Sequence, residues 1–204
     1  MFEGIKSLFF KNKDSIAVNI WSQIGIPINL ARQIGTHTDF TNEFLDDEYL
    51  LGYFNGYQNF MLHHFFKVKN PGDRGLIMSK ILVLLDPKFD DSKELMGYSD
   101  ILKSYMGKKD LEFGSEDAFM TVAIMLNDPK AKSNFLDNKI YLEAQKFYDD
   151  GEFKKRAELQ KKVLGSMGTG QNQAEMPRDF AVAYRVFELT FVKHLNKKFK
   201  CPNN

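Results

Sequence analysis

Apolar residues recur along the whole chain at the three- and four-residue spacing of helices. The segment 41–66, TNEFLDDEYLLGYFNGYQNFMLHHFF, predicts one long helix. After its acidic first turns it is apolar on nearly every side, and such a helix has to be enclosed all round. Thr41 is placed to cap it, and Glu43, Asp46, Asp47 and Glu48 sit at the positive end of its dipole. At 100° per residue, Gly52, Gly56, Asn59 and His63 fall on one narrow stripe. The two glycines form a notch that admits a close neighbour. Each costs about 1 kcal/mol against alanine in a helix interior, so tight packing or a ligand has to offset them.

The other elements follow in order. Ile16, Ile20, Ile24, Ile28, Ala31 and Ile34 have helical spacing, and Pro27 predicts either two helices or one sharply bent, anchored by Trp21. His37 falls in a connection and is expected to be exposed. KVKNPGDRG reads as a turn, and so short a link predicts that the apolar run 75–86 folds back antiparallel to the central helix. A polar link at 88–93 precedes a helix from Ser92 to Met106 that Gly107 stops. Ser115 with Glu116 and Asp117 predicts a helix start, and Asp128-Pro129 opens a helix expected to reach Asp150. Phe147-Tyr148-x-x-Gly151-x-Phe153 resembles the inter-helix turn of a tetratricopeptide repeat, over about one repeat length of 34 residues. Arg156 stands at that motif's small-residue position, and no second copy is present; the resemblance implies a helical hairpin bent at Gly151. GSMGTGQNQAE, 165–175, predicts a mobile loop, and Pro177 starts the last helix. The fold expected is all-α: one globular domain over residues 1–204, with eight or nine helices around a buried central helix 41–66.

Composition narrows the function by exclusion. The chain has 204 residues and balances 28 basic against 27 acidic side chains, so it lacks the basic surplus of a general nucleic-acid binder. Its 19 phenylalanines predict an aromatic core. A single cysteine, Cys201, excludes an internal disulfide and fits a reducing, cytoplasmic setting. The N-terminus lacks the charge and cleavage pattern of a signal peptide. Residues 2–13 could form a short amphipathic helix that contacts a membrane surface or docks on the chain's own core.

Catalytic and metal motifs fail on their residues. Gly165-x-x-x-x-Gly170 is followed by Gln171-Asn172 where a phosphate loop needs lysine and a hydroxyl. Asp90-Asp91-x-x-Glu94 has the form of a magnesium-binding aspartate motif without the second motif that chemistry requires. His63 and His64 point about 100° apart on a helix, and neither completes a Glu-x-x-His pair. Neither a cofactor nor a metal is expected. Two functional expectations remain. One is a non-catalytic module that binds another protein or itself. The other is a small-ligand or metal site at Gly52, Gly56, Asn59 and His63, where the glycines would admit the ligand and the polar pair would hold it.

Overall fold

A computed structural model of the chain describes residues 12–34, 37, 39–164 and 176–200. The expected membrane-surface segment, apart from Asn12 and Lys13, the 165–175 loop and Cys201 all lie outside them. The fold is all-α, with eleven α-helices and no strand among the described residues. In chain order the α-helices are α1 (Lys13–Ile34), α2 (Phe40–Leu45), α3 (Glu48–Phe60), α4 (Pro71–Leu85), α5 (Ser92–Tyr105) and α6 (Lys109–Met125). Then come α7 (Pro129–Lys132), α8 (Lys139–Asp149), α9 (Glu152–Leu164), α10 (Arg178–Phe187) and α11 (Lys193–Phe199). Wider π turns at Met61–Phe65 and Glu188–Val192 prolong α3 and join α10 to α11. No helix among the described residues is long and apolar enough to cross a membrane. The chain forms two compact units, one of Met1–Phe119 with Phe191–Asn204 and one of Met120–Thr190.

The first unit is built round α3. From Leu50 to Gln58 every residue of this helix is buried, as its all-round apolar sequence requires. Aromatic rings fill the space around it: Phe44 meets Phe54 edge-on at 5.7 Å, and Tyr53 stacks on Phe191 at 4.7 Å. Phe40 packs on Phe199 at 4.3 Å. The polar groups on α3 are mostly satisfied inside. Asn55 donates to the Leu51 carbonyl and accepts from the Tyr98 hydroxyl at 2.6 Å, while Tyr57 donates to Gln23. Gln58 donates to the Phe54 carbonyl, but its buried Oε1 has no partner.

Several boundaries differ from expectation, each for a local reason. The 41–66 segment is not one helix: α2 ends at Leu45, and Asp47 caps a new helix by accepting from the Leu50 N–H at 3.0 Å. Asp39, not Thr41, caps α2; Thr41 lies within it, buried, and donates to Asp86 at 2.7 Å. Helix α1 runs unbroken through Pro27, held by Ile24, Ile28 and Ala31, which are buried on both sides of the proline. Helix α6 begins at Lys109, six residues before the expected Ser115 start. The 129–150 helix is interrupted, and Asn138 caps α8 afresh. His37 is only 21% exposed, paired with Glu43 at 2.6 Å and edge-on to Phe199. Helix α4 packs chiefly along α1 rather than α3, with Lys13–Asp73 and Lys80–Asp14 ion pairs and an Arg32 bond to the Leu85 carbonyl.

The second unit packs α8 against α10 over Met120, Ile124, Tyr141, Ala144, Val182, Ala183 and Val186. Helices α8 and α9 make the expected hairpin, and Gly151 takes the left-handed conformation (φ 73°) that glycine adopts without strain. Arg185 lies over the Phe147 ring at 4.5 Å and pairs with Glu188, which Arg156 also holds at 2.8 Å.

Candidate functional site

Three features of the first unit carry its chemistry, and the first is a seam between α3 and α6. A Cβ built on Gly52 would collide with the Leu111 carbonyl, and one on Gly56 would lie 2.9 Å from the Ser115 hydroxyl. The lock is reciprocal, because a Cβ on Gly114 would strike the Tyr49 carbonyl and the Tyr53 nitrogen. Leu111 faces Gly52, Ser115 faces Gly56, and Phe119 faces Phe60 with rings 4.7 Å apart, so the two helices run in the same direction. Backbones this close trade side-chain volume for dense carbonyl contacts. The seam takes up the space the two α3 glycines leave. The sequence displayed the α3 half of this contact; the Gly114-Ser115 pair on α6 was missed because the helix was expected to start there.

Beyond Gly56 the seam opens into a shallow groove of about 250 Å³ lined by Phe60, Glu112, Ser115, Glu116 and Phe119. Asn59 and His63 are exposed, while Gly52 and Gly56 are buried or pressed against α6. The four residues therefore do not converge on one enclosed space. The His63 ring meets His64 edge-on at 4.9 Å. Among the described residues, no group of three or more His, Cys, Asp or Glu side chains is placed to hold a metal.

The second feature is the charged start of α3. Asp47 caps the helix, and His194 Nε2 lies 3.2 Å from its Oδ1, with Lys198 Nζ 3.7 Å from Oδ2. An ionised carboxylate only accepts, so Nε2 carries the proton of this bond. The His194 ring also stacks on Tyr49 at 4.3 Å. Burial pushes the Asp47 carboxyl up. The His194 hydrogen bond, the Leu50 amide and the charges of His194 and Lys198 outweigh it and hold the group below its ordinary 3.8. Asp117 shifts the other way: burial raises it against the 2.6 Å bond from the Tyr49 hydroxyl, and Glu116 adds to the rise. These opposed carboxylates are structural in their contacts, since each is engaged by the helix ends and rings it joins.

The third feature is the outer face of α1. Its inner face is fully committed, with Ile20, Ile24, Ile28 and Ala31 at most 1% exposed. Away from it Val18 is 54% exposed, Ile26 70% and Leu30 44%, while Ile34 (45%) is the last residue of the helix, five whole turns from buried Ile16 and so on the same side as it. No charged side chain occurs from Ser15 to Ala31; the polar residues there are Asn19, Ser22, Gln23 and Asn29, of which Gln23 accepts from the buried Tyr57 hydroxyl and donates to Asn19. Ser22 turns its hydroxyl inward, donating to the Asn19 carbonyl at 2.8 Å. The sequence contained the signal, a long helix with no charge on either side, but its apolar residues were all assigned to the core. Compared with family models, with curated proteins and with solved structures, the chain matches none.

Proposed function

We propose that this protein is a non-catalytic binding module that docks an apolar helical surface of another polypeptide on the outer face of α1. The observation that carries this reading is the exposure of Val18, Ile26 and Leu30 within the uncharged run from Ser15 to Ala31. Exposed helix faces are ordinarily rich in Lys and Glu, which keep them solvated, whereas the centres of protein interfaces are depleted of charge. Leu76 (45% exposed) and Leu84 (39%) are exposed on α4, which packs along α1. Contiguous apolar patches of several hundred Å² on a protein surface mark interaction sites.

The test is affinity capture with the full-length chain, in parallel with a variant carrying Ile26→Glu and Leu30→Glu. Both positions are exposed, so the variant keeps its circular dichroism spectrum and melting temperature. The proteins retained by the native chain are expected to be lost from the variant. Identical retention by the two would refute docking at α1.

A further inference from the structure

Helix α5 is anchored to the first unit at one point. Of its 14 residues only Tyr98 is buried, whereas the 15-residue α4 buries Ile77, Ile81, Leu82 and Leu85. An apolar stripe is present in the sequence, since Leu95, Tyr98, Leu102 and Tyr105 follow one another at helical spacing. Yet Leu95, Leu102 and Tyr105 are only half-buried, and Met96 is 68% exposed. Among the described residues no ion pair joins α5 to another element; Lys103 pairs within the helix, with Asp100. Two side-chain hydrogen bonds leave it. Tyr98 donates to Asn55 Oδ1 at 2.6 Å, and Tyr105 donates to the Asp46 carbonyl at 3.3 Å in an exposed position.

We infer that α5 is a strap that opens as a unit: residues 92–105 leave α3 and unravel between Asp91 and Gly107 while the rest of the first unit stays folded. Both ends suit this. Asp91 is extended and caps α5 by accepting from the Lys93 amide, and Gly107 (φ 80°) turns the chain in a conformation that favours glycine. Outside those points the chain is fixed. Phe89 is buried on one side; on the other, Lys108 pairs with Glu48 and Gly114 locks α6 against α3. A helix of 14 residues is marginal alone in water, so detachment and unravelling go together.

The closing contact is itself replaceable. Phe44 and Phe191 hold α3 by ring packing, which water cannot imitate. Beneath α5 the contact is a phenol bonded to an amide. When the strap lifts, water supplies the donor that Asn55 Oδ1 loses, so the net cost of parting the bond is a small part of its strength. Opening bares Asn55 and Phe89, whose ring meets that of Tyr98 edge-on at 6.0 Å. The strap lies on a different helix from the α1 face, and the inference stands apart from docking there.

Native-state hydrogen exchange on the full chain, followed amide by amide with increasing urea, tests this. Amides of residues 96–105 are expected to exchange at least about 100-fold faster than those of 51–58. Low urea should hardly change the α5 rates, because opening exposes little surface, while the α3 rates rise steeply. Ile24→Val, in the core of α1, should speed α3 about fivefold and leave α5 unchanged, since the core it weakens persists when the strap is open. Tyr98→Phe should speed α5 about tenfold. One rate and one urea slope for both helices would overturn the inference. So would equal acceleration of both by Ile24→Val, or a Tyr98→Phe variant whose α5 exchanges like that of the native chain.

Discussion

Helix α3 and the outer face of α1 are made of similar side chains in opposite surroundings. From Leu50 to Gln58, α3 has no exposed residue; across α1, Ile26 is 70% exposed and three neighbours exceed 40%. Leu50 to Gln58 and Ser15 to Ala31 both lack charge, so the difference lies in what the rest of the chain supplies. Around α3 it supplies α6, held at backbone distance by Gly52, Gly56 and Gly114, and rings from α2 and α11. Outside α1 it supplies nothing among the described residues. An uncharged stretch of helix is thus fully buried by the rest of the chain in one case and, among the described residues, left half open in the other.

The comparison can be broken most sharply at the glycines. Gly52→Ala or Gly114→Ala drives a methyl into a neighbouring backbone, which cannot yield as a side chain does. Each should cost about 3 kcal/mol or more in urea unfolding. On α1, Gly25→Ala meets only the Trp21 side chain and should cost less, while Gly97→Ala on α5 enters open space and should gain up to about 1 kcal/mol. Equal effects at Gly52 and Gly25 would show that the seam is not the rigid element it is taken to be.

Next in size is the capped start of α3. Asp47→Ala removes the cap and the acceptor facing His194, and should cost about 2 kcal/mol. The pH dependence has a definite sign. The folded carboxyl lies below its ordinary 3.8, so its contribution is complete well above that value and is lost as pH falls through the depressed one. The melting temperature of Asp47→Asn should therefore fall less steeply than the native one below pH 4 or so, in a thermal scan series. Parallel acid limbs would remove Asp47 from the account.

The smallest effect is expected inside α3 itself. Gln58 is 1% exposed and its Oε1 is unpartnered, so Gln58→Met should be neutral or stabilising by up to about 1 kcal/mol. A loss of 2 kcal/mol or more, measured by calorimetry, would mean that this acceptor is satisfied after all.

Much of the architecture was legible in the residues. Gly107 and Gly151 stop helices where their left-handed conformations are needed, and Asp86-Pro87, Ser92 and Pro177 mark real boundaries. The enclosed character of α3 was visible from its all-round apolar pattern. The split at Asp47 was not, because four nearby acids read equally well as the charged first turn of one helix. The partner of the glycine notch was hidden for a different reason: the contact joins residues 52 and 111, and no local pattern at either position names the other. The same holds for His194, which reaches Asp47 from the far end of the chain. Of the four residues singled out on α3, the glycines found a neighbour by packing, whereas Asn59 and His63 stayed at the surface.

The return of α11 to the first unit has a consequence for how the molecule is made. Phe191, His194 and Phe199 complete the surroundings of Tyr53, Asp47 and Phe40, yet all of residues 120–190 are translated in between. At roughly 5–20 residues per second, the ribosome leaves those sites open for several seconds while the second unit can already close on itself. During that interval the growing chain presents an unfinished aromatic surface, which is when a chaperone would find it.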